Sequence, residues 1–217
     1  MRDKVLLGFL AAVALLQFGY PVTLHGPVWT ALYMSLYAVM IVFGVMICRD
    51  EGQRTAPAFI VAAVFLVFGL WVAVDQDSKA AHLGMFASVA VFQVVLVHAL
   101  AAFIFRHSRA HGLELILAAI AVYLLLGGLF AATYGALEIL WPQSFEDAQA
   151  PGEQVTWQRL MYFSYVTLAT LGYGDVLPMT AWARTLAVSG TLFLTTVVAR
   201  LVGAYMSPDE ARGARSE

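Results

Sequence analysis

The chemistry most open to reading lies in one stretch, Thr167-Leu168-Ala169-Thr170-Leu171-Gly172-Tyr173-Gly174-Asp175. Two glycines flanking a tyrosine allow an extended chain in which successive carbonyl oxygens face one way. Such a stack can replace the water shell of a dehydrated cation, and the Thr170 hydroxyl adds further oxygens. Before it comes Trp157–Ala169, apolar and helix-prone but too short to cross a bilayer; after it come Val176-Leu177-Pro178 and a long apolar run. The short segment reads as a re-entrant half-helix whose negative dipole end is aimed at the ion path. Irregular backbone at membrane depth is tolerated only where it is buried in protein or lines an aqueous path.

The elements that must position this stretch follow from composition. Of 217 residues, 61% are hydrophobic and only 12% charged. A soluble domain carries about a quarter charged residues. With a mean hydropathy of +0.80, the chain cannot coat itself with polar groups, so lipid is the expected solvent and a soluble enzyme is excluded. The net charge of −2 includes no basic run that suggests nucleic acid.

Apolar runs cover Val5–Leu24, Val28–Cys48, Ala56–Val74, Ala80–Phe105, Leu113–Leu140 and Ala181–Met206. Each is long enough to span, since about 20 residues cross the hydrocarbon core. The connections between the first five are short, which makes those helices antiparallel neighbours. Pro57 sits in the first turn of the third helix, where its missing N–H costs nothing. A cytoplasmic N-terminus places Arg2, Lys4, Arg49, Arg54, Arg106, Arg109, Arg212 and Arg215 inside. The outer region Trp141–Gln158 then holds no Lys or Arg but contains Glu146, Asp147 and Glu153. Six spans with both ends inside satisfy that rule, and the location expected is the plasma (inner) membrane. Phe18-Gly19-Tyr20-Pro21 offers no signal cleavage site, and Cys48 reads as a packing residue near the cytoplasmic end of its helix.

Thr-Leu-Gly-Tyr-Gly-Asp between a re-entrant helix and a spanning helix resembles the selectivity filter of the potassium-channel superfamily. The surrounding order strengthens the likeness: outer helix Leu113–Leu140, half-helix, filter, then Pro178, Trp182-Ala183-Arg184 and an inner helix. Val198-Ala199-Arg200-Leu201-Val202-Gly203 also resembles bacterial members with one pore loop per subunit. The resemblance implies a homotetramer, with K⁺ held by the backbone oxygens of Thr170, Leu171, Gly172 and Tyr173 and by the Thr170 hydroxyl. Gly174 and Asp175 would form the outer mouth. Tyr173 would point away from the ion and pack against half-helix aromatics, with Tyr162 and Phe163 the nearest candidates.

Two departures from the family pattern stand out. Leu171 replaces a commoner valine or isoleucine, which is expected to alter filter rigidity rather than selectivity. Val166 stands where some relatives carry a glutamate that shares a proton with the aspartate. Asp175 therefore needs another partner, and the Tyr162 hydroxyl is the candidate.

The expected domains are a four-helix membrane unit at 1–110, a pore domain at 111–206 and a short cytoplasmic tail at 207–217. The four-helix unit lacks the arginine array of a voltage sensor, since Ala80–Phe105 contains no Arg or Lys. His98, one turn and a little beyond Gln93, reads either as a titrating gate or as a neutral group hydrogen-bonded between helices. His107 and His111, expected on the cytoplasmic side, read as solvated loop histidines, with pH sensing as the alternative. Gly190 and Gly203 could bend the inner helix, and Gly190 could equally pack against Gly127-Gly128 of the outer helix. Arg200 either pairs with Glu114, snorkels toward the cytoplasm or acts as a gating charge.

The reading is thus an all-α integral membrane protein with six transmembrane helices, a re-entrant half-helix and a filter loop, assembled as a tetrameric pore. Its expected activity is passive, K⁺-selective conduction, with no enzymatic chemistry and no cofactor beyond K⁺ ions in the filter. The expected partners are the lipid bilayer, K⁺ and identical chains. Two rivals remain: a weakly selective cation channel and a non-conducting membrane subunit or scaffold.

Overall fold

A computed structural model describes residues 2–25, 36–37, 39–46, 49, 56–75, 77–106 and 112–206. The chain begins with α1 (Arg2–Phe18), followed by a 3₁₀ turn at Tyr20–His25. Residues 36–37 and 39–46 are helical and form α2. Then come α3 (Ala56–Val74), α4 (Lys79–Arg106) and α5 (Gly112–Leu140). The strand β1 (Phe145–Asp147) precedes α6 (Trp157–Leu168); β2 (Val176–Pro178) and α7 (Ala181–Met206) close the order. Lys79–Ile104 and Glu114–Leu140 are long and apolar enough to cross a membrane. At 1.5 Å per residue both reach about 40 Å, beyond the roughly 30 Å hydrocarbon layer.

Helix packing follows the 3.6-residue period. On α1 the inward stripe is Leu6, Phe9, Val13 and Leu16; on α4 it is Phe92, Leu96, Leu100 and Phe103. These meet Ala118, Val122, Leu125 and Leu126 of α5 in one continuous core. His98 falls off the α4 stripe and is exposed on the surface of the single chain. The expectation of a histidine enclosed between helices therefore fails, because the inward positions nearby are taken by Leu96, Ala99 and Leu100.

Outward faces are apolar as well. Phe59, Ile60, Leu66, Val67 and Leu70 of α3 are all more than half exposed, the pattern of helices solvated by acyl chains. In lipid, apolar burial distinguishes little between protein and solvent, so close approach at small residues must hold the helices together. Two contacts show it. A Cβ on Gly84 would lie 2.2 Å from the Phe68 ring, and one on Gly135 would lie 2.8 Å from the Phe86 ring.

A second core gathers around α6. Tyr134, Phe145, Leu160, Phe163, Val176, Ala183 and Ala187 pack together, joining α5, both strands, α6 and α7. The two strands were not legible as such in the sequence. They pair antiparallel, with Phe145 opposite Pro178, Glu146 opposite Leu177 and Asp147 opposite Val176. The outer loop after α5 is thereby fastened to the segment that leaves Gly172-Tyr173-Gly174. Glu138, 2% exposed, holds the start of that loop: its carboxylate accepts the N–H of Gln143 at 2.9 Å and of Phe145 at 3.1 Å.

Candidate functional site

The site is a strand of free carbonyls suspended between two anchors. Its first anchor is the end of α6. Thr156 caps the start of that helix, its side chain accepting the N–H of Arg159. Ser164 donates to the Gly127 carbonyl at 2.6 Å and the Tyr165 hydroxyl to the Leu124 carbonyl at 2.7 Å. These two bonds fix α6 against α5, and Gly127 is what permits it: a Cβ there would lie 2.2 Å from the Tyr165 ring.

The helix ends in a left-handed cap. Thr170 N–H donates to Thr167 O at 3.0 Å and Leu171 N–H to Val166 O at 2.9 Å. Thr170 itself has φ = 58°. Glycine ordinarily fills such a position, and a β-branched residue there costs roughly 1–2 kcal/mol. The sequence reading placed the backbone freedom in the glycines alone and did not anticipate it at Thr170.

Every second residue through the stretch is left-handed: Thr170 at 58°, Gly172 at 59° and Gly174 at 74°. Alternation of handedness turns successive peptide planes in the same sense, so neighbouring carbonyls can stand on one side of the strand. Among the described residues none of the carbonyls of Thr170, Leu171, Gly172, Tyr173 or Gly174 accepts a hydrogen bond. All five residues are exposed in the single chain.

Beyond Gly174 the second anchor begins. Ala148 N–H donates to the Asp175 carbonyl at 2.9 Å, continuing the β1–β2 pairing, and Met179 N–H donates to Ser144 O at 2.8 Å. Arg159, in the first turn of α6, ties the same point from its side chain. Its Nε donates to Asp147 Oδ2 at 2.5 Å and its Nη2 to Asp147 Oδ1 at 2.8 Å; Nη2 also reaches Asp175 Oδ2 at 3.4 Å. The guanidinium stands over the Tyr162 ring, 5.2 Å from its centre, a cation–π contact. Arg159 holds the Asp147 carboxyl below the usual carboxylate range, chiefly through that hydrogen bond; burial opposes the shift and the Gln149 N–H aids it.

The structure sorts the residues singled out from sequence. Burial and, after it, the neighbouring Asp175 carboxylate push the Tyr162 phenol above its ordinary value. The side-chain contact measured at Asp175 is with Arg159, which the sequence reading did not name. Phe163 departs from expectation. It turns into the core, with ring centres 5.3 Å from Tyr134 and 5.5 Å from Phe145. It supports the strand through Val176, not by packing on Tyr173, which is 66% exposed.

Gly190 packs against Phe130, whose ring a Cβ would meet at 3.3 Å. Its expected partners are otherwise engaged: Gly127 faces Tyr165, and Gly128 faces the side chains of Gln17 and Gln93. Glu114 stands in the first turn of α5, where the helix dipole favours a carboxylate. The side chains of Arg200 and the environment of Gly203, both on α7, lie outside the described residues, as do Cys48, His107 and His111.

Sequence reasoning missed Arg159 and Asp147 as a pair. Taking the outer region as Trp141–Gln158 stops one residue short of the arginine. A lone cation in the first turn of a short apolar helix, behind an acidic loop, was the available signal.

Comparison with known families fits this geometry. The family model described as ion channel matches residues 113–207, which run from α5 through α7. No curated protein and no solved structure matches the chain. The match supports an ion channel, and with the long apolar helices it supports a membrane protein whose all-α architecture carries an ion-channel domain.

Proposed function

We propose that the chain is a K⁺-selective channel, conducting passively through a pore built by four identical chains. The observation that carries this reading is the exposed run Thr170 to Gly174, left-handed at every second residue, whose carbonyls accept no hydrogen bond among the described residues. Oxygens so arranged are ligands for a dehydrated monovalent cation, with the Thr170 hydroxyl completing the set. One strand cannot encircle an ion, whereas four can.

The outward faces of the site agree with that assembly. Leu171 and Tyr173 are more than half exposed, and on α7 so are Trp182, Val188 and Leu192. Exposed large apolar groups beside a polar strand suit contact with a second copy. The six-span topology with both termini cytoplasmic and the plasma-membrane location rest on the apolar runs and on the arginine and lysine distribution.

The test is K⁺ flux from liposomes holding the purified chain alone, with Na⁺ as competitor and Tyr173→Ala as control. Selective flux that the substitution abolishes is the expected result. Equal K⁺ and Na⁺ flux would overturn selectivity while leaving a cation channel. Absence of flux across a range of voltage and pH, from particles of four times the 23.6 kDa chain mass, would favour a scaffold instead.

A further inference from the structure

A cavity of about 60 Å³ lies between the four-helix unit and the pore helix α6. Beside it, amides from two different helices converge on one residue of α5. A Cβ on Gly128 would meet Nε2 of Gln17 at 2.4 Å and Nε2 of Gln93 at 2.6 Å. Gln17 stands near the end of α1 and Gln93 midway along α4, and they are 3% and 1% exposed. Neither Oε1 has a hydrogen-bond partner among the described residues. Gln93 and Gly128 also line the cavity, together with Tyr37 of α2 and with Trp157 and Met161 of α6.

We propose that this cavity is hydrated and that one of its waters donates to Oε1 of both Gln17 and Gln93. The volume equals the liquid share of roughly two water molecules. A single water carries two O–H donors, which is what two amide oxygens on one point of α5 require. A second water bonds to the first and to the wall, where Tyr37 brings a hydroxyl and Trp157 an indole N–H. Leaving two buried amide oxygens without donors costs more than ordering one water between them. A cation suits the place poorly: among the described residues no charged side chain lines the cavity, and a dehydrated ion there would keep neutral ligands alone.

Position gives the water its role. Gly128 follows Gly127, whose carbonyl accepts the Ser164 hydroxyl at 2.6 Å. The bond that fixes α6 to α5 and the water that joins α1 and α4 to the same stretch of α5 are therefore adjacent. Trp157 and Met161 put α6 against the same hydrated space. Between apolar helices in lipid, packing is supplemented by polar links of this kind. The four-helix unit thus meets the pore helix through a wet joint set inside an otherwise apolar bundle.

The experiment is hydroxyl-radical footprinting of the full chain in detergent micelles, with radicals made from water by a short X-ray pulse and oxidation read by mass spectrometry. Such radicals act close to where they form, so a buried methionine is oxidised quickly only when water stands beside it. Met161 lines the cavity and is 6% exposed. Met40, 1% exposed in the apolar core, sets the dry rate, and Met179, 44% exposed, sets the bulk rate. Met161 is expected to oxidise severalfold faster than Met40. Gln93→Leu and Gln17→Leu should each bring it down toward the Met40 rate. Ala132→Val, which adds bulk to the lining, should do the same even if the glutamine variants prove too unstable to isolate. Oxidation of Met161 as slow as that of Met40 in the unaltered chain would overturn the proposal and mean that the amides are dry. Fast oxidation that neither glutamine substitution slows would overturn it as well, since the water would then not depend on the amide oxygens. Ion flux plays no part in the readout, so the channel reading and this site stand or fall separately.

Discussion

Arg159→Leu is the substitution that most directly tests how the carbonyl strand is held at its outer end. The guanidinium makes two charge-assisted bonds to Asp147, at 2.5 and 2.8 Å, and a longer one to Asp175 at 3.4 Å. Fully buried bonds of this kind contribute about 1.5–3 kcal/mol each. Here the Arg159 side chain is 27% exposed, so screening reduces the pair to about 2 kcal/mol in all, and the long contact adds less than about 0.5 kcal/mol. Loss of Arg159 also leaves the mostly buried Asp147 carboxylate without its cation. For a chain of this size, about 2 kcal/mol lowers the melting temperature by roughly 4–8 °C. Scanning fluorimetry of the purified protein would measure it. A double-mutant cycle with Asp147→Leu isolates the coupling: each single change should cost about 2 kcal/mol, and both together little more than one. Fully additive losses, near 4 kcal/mol for the double variant, would refute the clamp.

Other consequences are as direct. Tyr162→Phe removes the phenol near Asp175 while keeping the ring under Arg159; if the chain conducts as proposed, current decay should change in rate, and an unchanged decay would rule out a Tyr162–Asp175 hydrogen bond of consequence. Gly127→Ala places a methyl 2.2 Å from the Tyr165 ring and should destabilise the packing of α6 on α5 by about 1–3 kcal/mol, measured as a lower melting temperature. The folded-state pKa of Asp147 is depressed, so its contribution is present above the ordinary carboxylate value and disappears as pH falls through the lowered one. Melting temperature should therefore hold steady from about pH 8 to pH 5 as far as this pair is concerned, with its share lost below about pH 4. In Asp147→Asn that acid-dependent share should be missing.

The sequence revealed the lipid-facing architecture more readily than the details of the site. Helices α3 to α7 lie close to where apolar runs place them, since an uninterrupted run of such length has few other structures open to it in a bilayer. The half-helix and the carbonyl strand were legible for a related reason: a short apolar segment ending in Gly-Tyr-Gly has no room to span and no side chain to force a regular path. Rotational placement was harder. Phe163 and His98 are on the expected helices but face other ways, because the apolar pattern is nearly continuous on every side and names no inward face. The pairing of Arg159 with Asp147 bridges a loop twelve residues long in sequence separation, where no period links the two. Thr170 gave no sign of its left-handed backbone, for threonine is among the residues least suited to it.

The suspension of Thr170–Gly174 between its two anchors has a thermodynamic consequence. Folding of one chain fixes the ends of this strand, and among the described residues it supplies no partner for the carbonyls between them. If four strands and their ions complete one another, then ion binding, strand geometry and assembly share a single free-energy balance. Cation concentration would then act on subunit association as a ligand acts on folding. Above saturation, each tenfold rise in free ion would stabilise the tetramer by about 1.4 kcal/mol for every site occupied only in the assembly. The permeating ion would thus be a structural component of the very oligomer it passes through.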